Sequence, residues 1–300
     1  MSIKGTEKEF SVQAPWGTIK GVTWGDPSHP PILLVHGKLD VCTGFRPLVC
    51  LLPQQFYFVA FDVPGNGRSD PLPRGVRYTV LDLVPSVVVV TKHFGWDKFI
   101  YIGHSLGALI GKYFNIVYPN RISRVVELDP VPAHHNWETS REALRSWYLQ
   151  YYSSYDEGSY QKHHGRRETA PTYTYEKAQE LVMKSRKLTV ESSKHVLERC
   201  LEPAENGLYR FTYDQRMKEV TVLPFSPEIL QKIYTTTTTP TFATITQDQL
   251  SVGRFSNCGF VKQEDNWPNK NYKVKVVEGD HDVHIYNPEC LAKDVANFIM

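Results

Sequence analysis

Three hundred residues suffice for one large domain or two small ones. A chain this long buries roughly three quarters of the surface its unfolded form exposes, so it needs no disulfide or metal staple. Lys and Arg number 34 against 32 Asp and Glu, a net charge of +2, which argues against a nucleic-acid partner and against a surface built for anionic lipid.

The five cysteines, Cys42, Cys50, Cys200, Cys258 and Cys290, contain no Cys-x-x-Cys pair, so neither a zinc ribbon nor a dithiol redox site is indicated. The first ten residues hold no apolar signal core. No apolar run approaches the ~18 residues that span a bilayer, and Asn297-Phe-Ile-Met300 is not a Ser-Lys-Leu signal. The expectation is a soluble, cofactor-free protein without an integral membrane segment. Its expected place is the cytoplasm, with peroxisomal import by another route left open.

In chain order, residues 10–14 and 18–24 flank Pro15-Trp16-Gly17 and read as an antiparallel hairpin. Residues 31–35, 56–61, 99–102 and 125–128 are short apolar runs, stopped by His36-Gly37, Asp62, Gly103 and Asp129. Runs with no polar face indicate a sheet covered on both sides, hence a parallel one. Helical segments are predicted at 45–52, 80–94 and 106–118, so the class is α/β. From 131 to 235 strong strand runs cease and short helices are expected. Alternation resumes with strands at 241–246 and 272–277 and a closing helix at 287–300. The five threonines at 235–239 read as the exit into a strand. The chain therefore divides into a core of 1–130 with 236–300 and a helical cap of 131–235.

Gly103-His104-Ser105-Leu106-Gly107 fits Gly-x-Ser-x-Gly, with an apolar strand entering and a helix rich in small residues leaving. That strand–turn–helix setting presents the Ser105 hydroxyl at the carboxyl edge of the sheet. A serine needs a base to take its proton. His281 lies past the last predicted strand and reaches the same edge, whereas His284 is expected to pack or be solvated. The pairs His134-His135 and His163-His164 have adjacent spacing that does not suit a metal. For the acid that orients the base, Asp129 and Asp248 both follow core strands and remain alternatives. Asp280 and Asp282 adjoin the histidine too closely in sequence. The oxyanion hole needs backbone amides, and the candidates are those of Leu106 and Lys38.

These residues, with Pro15-Trp16-Gly17, His36-Gly37-x-Leu39-Asp40, Asp62-x-Pro-Gly65-x-Gly67-Arg68-Ser69, Leu128-Asp129, Asp214-Gln-Arg216 and His281-x-x-His284, resemble the serine hydrolase-like group, which includes the kraken proteins, of the α/β-hydrolase superfamily. The resemblance runs nearly end to end. It implies the α/β-hydrolase fold, an eight-stranded, mostly parallel sheet with a helical cap after the sixth strand, and a Ser–Asp–His triad with Asp129 as the acid. The chain departs from the group at three positions: Lys38 stands for Trp, Val41 for Asn and Asn66 for His.

Trp147, Tyr148, Tyr151, Tyr152 and Tyr155 recur at helical spacing. They read as a cap helix packed on its neighbours, with an aromatic wall for an acyl or terpenoid-like substrate as the sharper alternative. The basic cluster Lys162-His-His-Gly-Arg166-Arg167 reads as a solvated face. Asp214-Gln-Arg216 is expected to return the chain from cap to sheet. The function that follows is hydrolysis of small to medium apolar carboxylic esters or thioesters through an acyl-enzyme at Ser105. The changes at Lys38 and Val41 leave a second reading, a ligand-binding pseudo-hydrolase with little turnover.

Overall fold

Runs of five apolar residues are too short for a helix and leave no face for water. The computed structural model, which describes residues 6–75, 77–131, 140–155, 160, 164, 165, 167–256 and 258–300, buries them in the middle of a sheet. The strands are β1 (Lys8–Ala14), β2 (Gly17–Trp24), β3 (Pro31–Val35), β4 (Tyr57–Phe61), β5 (Phe99–His104), β6 (Ile122–Leu128), three short ones, β7 (Thr172–Tyr173), β8 (Leu201–Pro203) and β9 (Tyr209–Phe211), then β10 (Thr241–Thr246) and β11 (Tyr272–Val277). Eight of them form one sheet in the order β1-β2-β4-β3-β5-β6-β10-β11. The pairs β1/β2 and β2/β4 are antiparallel and the others parallel.

Period two decides which residue meets which layer. On β3, β4 and β5 the odd-numbered Leu33, Val35, Tyr57, Val59, Phe61, Phe99 and Tyr101 enter one apolar cluster. The even-numbered Ile32, Leu34, Phe58, Ala60, Ile100 and Ile102 enter the other. The first cluster is closed by Val80, Leu83, Val87 and Val90, from one helix, and Leu109, Ile110 and Phe114, from another. The second is closed by Leu48 and Val49 and by Leu291, Val295 and Ile299. Those residues lie on α1 (Arg46–Val49), α2 (Val80–His93), α3 (Leu106–Val117) and a closing helix, Glu289–Ile299. A capping box starts α2: the Thr79 side chain accepts from the Asp82 amide and the Asp82 side chain accepts from the Thr79 amide.

Between β6 and β10 the described chain forms α4 (Arg141–Tyr152), α5 (Tyr175–Arg186), α6 (Val190–Cys200) and α7 (Pro227–Tyr234). It also forms a three-stranded sheet, β7-β9-β8, where only helices are expected from the sequence. Strands of two or three residues are too short to show a period. The predicted helix at 45–52 is instead a 3-10 turn, Cys42–Phe45, followed by the single turn of α1. The five threonines do not enter β10 as extended chain. Thr235 and Thr236 turn back, their hydroxyls donating to the carbonyls of Gln231 and Ile233 at 2.8 and 2.7 Å. Past β10 lie α8 (Gln247–Ser251) and α9 (Val283–Tyr286), and the closing helix is α10 (Glu289–Ile299). The expected single helix at 287–300 is thus preceded by a separate turn, since Pro288 cannot continue α9. His134-His135 and, in the basic cluster, Lys162, His163 and Arg166 lie outside the described residues. No helix among the described residues is long and apolar enough to cross a membrane.

The segment between β6 and β10 is tied to the sheet by buried ions. Arg199 of α6 donates from Nε to Asp62 Oδ2 at 2.6 Å, with both side chains almost wholly buried. Asp62, directly after β4, also accepts from the amides of Cys42 and Arg68, each at 2.9 Å. At its other end, Asp214 donates its amide to the Gly65 carbonyl at 2.8 Å, and Arg216 reaches the carbonyls of Leu72 and Pro73, both at 2.8 Å. The Asp62-to-Ser69 loop is therefore a dock for this segment.

Two outcomes test this packing. Arg199→Ala strands Asp62 as a buried, unpaired charge and should cost about 3–5 kcal/mol in urea unfolding. A Cβ on Gly107 would fall on the Val35 carbonyl oxygen, whereas one on Gly259 would meet nothing within 4 Å. Gly107→Ala should therefore lower stability by at least about 2 kcal/mol, and Gly259→Ala by no more than about 0.5 kcal/mol.

Candidate active site

The site is built on the turn from β5 to α3. Ser105 sits there with φ +52° and ψ −116°, a region costly for any residue with a side chain. Neighbouring strands hold it in place. Its amide donates to the Leu128 carbonyl of β6 at 3.0 Å, and its carbonyl accepts from the amide of Ala108 at 3.1 Å to open α3. A Cβ on Gly103 would lie 2.6 Å from the Ala108 backbone, so only glycine lets the helix pass so close to the strand. The hydroxyl emerges at the carboxyl edge of the sheet, on a residue 5% exposed.

His281 follows β11 in the loop that leads to α9. Its Nε2 is 2.8 Å from Ser105 Oγ and its Nδ1 is 2.5 Å from Asp129 Oδ2. A carboxylate only accepts, so Nδ1 carries the proton and Nε2 is left to accept from the serine hydroxyl. Asp129 directly follows β6 with φ +43°. Its amide donates to the Thr244 carbonyl at 2.8 Å, and its Oδ1 accepts from the Thr246 amide at 2.8 Å. Of the two carboxylates open on sequence grounds, Asp129 joins the chain of hydrogen bonds. Asp248 lies on α8 and instead pairs with Lys187 at the surface.

The two amides named for an oxyanion lie on elements that meet at Ser105. Leu106 is the first residue of α3, where N–H groups have no acceptor within the helix. The loop after β3 approaches so closely that a Cβ on Gly37 would stand 3.0 Å from Ser105 Cβ. Buried His36 fixes that loop: its Nδ1–H donates to the Gly37 carbonyl at 2.7 Å and its Nε2 accepts from the Val63 amide at 2.9 Å. The second bond requires neutral imidazole, and burial pushes its pKa down accordingly. The Lys38 side chain leaves its own amide behind and donates from Nζ to the Lys218 carbonyl at 3.1 Å.

Beside the serine lies a buried polar cluster that the sequence does not announce. Arg186, the last residue of α5, donates from Nη1 to Asp40 Oδ1 at 2.7 Å and from Nε to Asp282 Oδ2 at 3.1 Å, and also pairs through Nη2 with Asp282 Oδ1. Burial raises both carboxyls, but the guanidinium more than offsets it and holds them below the usual range. His104 and His284 pack against each other with ring centroids 4.1 Å apart. Burial pushes His104 well down and His284 to about 4, so both are neutral at neutral pH. His104 Nε2–H donates to the His281 carbonyl at 2.8 Å. His284, expected to pack or be solvated, is packed and only 1% exposed.

A cavity of about 470 Å³ opens over Ser105 and His281, lined also by Lys38, Leu39, Val182 and Val196. Its aromatic wall is Tyr173, Phe211 and Tyr213, not the predicted helix. That helix, α4, packs on its own neighbours: Trp147 donates to the Val222 carbonyl at 3.1 Å, and Tyr148 stacks on Tyr152. The wall was missed because its residues lie on β7, β9 and the residues after β9, not on one helical face. Arg186 was missed because a lone arginine ending a polar helix carries no signal of its own. Its partner Asp282 is visible beside His281, but its sequence position says nothing of a cation from α5.

The model of the α/β-hydrolase fold matches residues 30–288. A serine hydrolase-like protein of Danio rerio is 29% identical over 306 residues, covering 99% of this chain and 90% of that protein. A serine hydrolase-like protein of Homo sapiens is 36% identical over 125 residues, covering 42% of this chain and 62% of its own length. Among solved structures, a hypothetical protein of Pseudomonas aeruginosa PAO1 superposes with a TM-score of 0.80 at 22% identity, covering 97% of this chain and 98% of that one. A thioesterase domain from the curacin biosynthetic pathway gives 0.72 at 19% identity, covering 96% and 98%; likeness at this level concerns the fold alone. With the model match spanning β3 to β11, the serine turn and His281, the chain belongs to the α/β-hydrolase family, and within it is similar to the serine hydrolase-like proteins.

Proposed function

We propose that the protein is a serine hydrolase that cleaves carboxylic esters or thioesters of small to medium apolar acyl groups. The observation that carries this reading is the unbroken hydrogen-bonded chain from Ser105 Oγ through His281 to Asp129, opening into a largely apolar cavity. Ser105 Oγ attacks the acyl carbon while its proton passes to His281 Nε2. Asp129, held by the Thr246 amide, keeps the imidazole in the required tautomer and stabilises its charged form. The amides of Leu106 and Lys38 receive the negative charge that develops on the carbonyl oxygen. His281 then returns the proton to the departing alkoxide or thiolate. Water, deprotonated by the same nitrogen, attacks the acyl-enzyme and frees the acid and Ser105.

In this reading residues 131–235 act as a cap over a core of 1–130 and 236–300, and the cap supplies Tyr173, Val182 and Phe211 to the acyl side of the cavity. The partner is a small-molecule ester or thioester. No cofactor enters the steps, since the nucleophile, base, acid and oxyanion donors are all amino-acid groups. The intact chain of hydrogen bonds favours turnover over the pseudo-hydrolase reading, which rested only on Lys38 and Val41. Lys38 is needed only for its backbone amide.

A fluorophosphonate probe should label the wild type, and Ser105→Ala should neither be labelled nor hydrolyse p-nitrophenyl esters. An unlabelled wild type would overturn the enzyme reading in favour of ligand binding. Across p-nitrophenyl esters and acyl thioesters of increasing length, kcat/KM should peak at short to medium chains and fall when the chain outgrows the cavity. Asp129→Asn should lower kcat roughly 10⁴-fold, the scale expected for loss of the orienting acid, while Asp248→Asn stays within a few-fold of wild type. Equal losses in both variants would remove Asp129 from its assigned role.

A further inference from the structure

Buried polar atoms in folded proteins are nearly always satisfied, and each exception calls for a physical reason. Beside Ser105 several exceptions fall together. Asp40 Oδ2, His104 Nδ1 and both ring nitrogens of His284 have no hydrogen-bond partner among the described residues, although Asp40 and His104 are 2% exposed and His284 1%. With Asp282, these residues bring donor atoms within 4.8 Å of one another. Charge is unbalanced in the same place. Two carboxylates, Asp40 and Asp282, face the single guanidinium of Arg186.

We infer that Asp40, His104 and His284, with Asp282 beside them, bind a first-row divalent cation of the Zn²⁺ class, and that its occupancy inhibits hydrolysis at Ser105. Two imidazoles with carboxylate oxygen suit such a borderline cation; Mg²⁺ and Ca²⁺ prefer all-oxygen shells. The tautomer of His104 is already set for ligation. Its Nε2–H is committed to the His281 carbonyl, so Nδ1 holds the lone pair, which is how ligating histidines are oriented by the groups around them. Asp40 keeps Oδ2 clear because Arg186 takes Oδ1. Asp40, His104 and Asp282 line the cavity over Ser105, which gives the cation a route in from the substrate side.

Inhibition follows from position and rests on the serine hydrolase reading. The His104 ring lies 4.7 Å, centroid to centroid, from that of His281. A cation on Asp40, His104 and Asp282 stands in the cavity over Ser105 that these residues line, and takes the space the reacting group must enter.

The test titrates the chelator-treated full chain with ZnCl₂ by calorimetry and with CoCl₂ by visible absorption, in the wild type, His284→Leu and Asp40→Asn. One Zn²⁺ per chain is expected, with Co²⁺ bands more intense than those of the aquo ion, and weakening of more than about tenfold in both variants. Zn²⁺ should slow fluorophosphonate labelling of wild-type Ser105 and leave labelling of His284→Leu unaffected. No heat and no Co²⁺ bands in the wild type would overturn the site, leaving water on these atoms. Equal affinity in all three proteins would overturn it too, by placing the cation on other histidines. If a variant fails to fold, as circular dichroism reveals, the wild-type Co²⁺ spectrum still decides, because bands unchanged in position and intensity from those of the aquo ion refute ligation by imidazole. Binding that leaves wild-type labelling unchanged would overturn the inhibition. A chelated wild type that is never labelled would refute the serine hydrolase reading while the titration still tests the metal site.

Discussion

The architecture around the active site depends on one steric constraint, the reversal from β5 into α3 at Ser105. The helix must start within contact of the strand it has just left. That is possible because positions 103 and 107 have no Cβ to collide with the Ala108 backbone and the Val35 carbonyl. Once the reversal is made, three other features fall into place. The serine backbone is locked to β6 through Leu128, the hydroxyl emerges at the sheet edge, and α3 opens at Leu106 close against the loop after β3. Strain at φ +52° is tolerated because the parallel strands on either side already fix where the chain can go.

A second layer of control comes from cations sent down by the segment between β6 and β10. Arg199 meets Asp62 after β4, and Arg186 meets Asp40 after β3 and Asp282 after β11. Each arginine therefore grips loops at the carboxyl edge, where parallel α/β sheets place their ligands. Apolar packing alone would hold this segment on the sheet without fixing its register. Directional pairs between planar guanidinium groups and carboxylates specify which loop each helix end meets.

How much could be read from the sequence varied with the physics of each part. Strands β3, β4 and β5 were legible because burial on both faces leaves an apolar run that little polar interrupts, and β6 through Val125, Val126 and Leu128 in spite of Glu127. Ser105 and His281 were legible because a sharp strand-to-helix turn demands small residues at fixed spacing and because a histidine just past the last strand falls at the same sheet edge. Asp129 and Asp248 could not be separated on pattern, since both follow core strands; distance and partners separate them. The β7-β9-β8 sheet and the cavity wall of Tyr173, Phe211 and Tyr213 were beyond reach. They arise from pairings among two- and three-residue strands, with specificity in tertiary contacts and not in local periodicity. Arg186 was hidden for a related reason. A surface-like helix end becomes a buried ion only once the helix is docked.

The overall charge of +2 conceals how unevenly charge is distributed at this site, and that unevenness explains why one carboxylate serves His281 and its neighbour does not. Asp282 adjoins His281 in sequence and is equally buried, but both of its oxygens are held by Arg186. With both oxygens taken by Arg186, neither is left to accept from His281 Nδ1. Asp129 has no cation. Its Oδ1 takes only the Thr246 amide, a dipole that orients the carboxylate without neutralising it, and its Oδ2 faces His281 Nδ1. Under the proposed mechanism the histidine that gains a proton needs a carboxylate oxygen free to face it. Among the described carboxylates at this edge Asp129 alone meets His281 in that state, which ties the proposed acid to where α5 puts its last arginine.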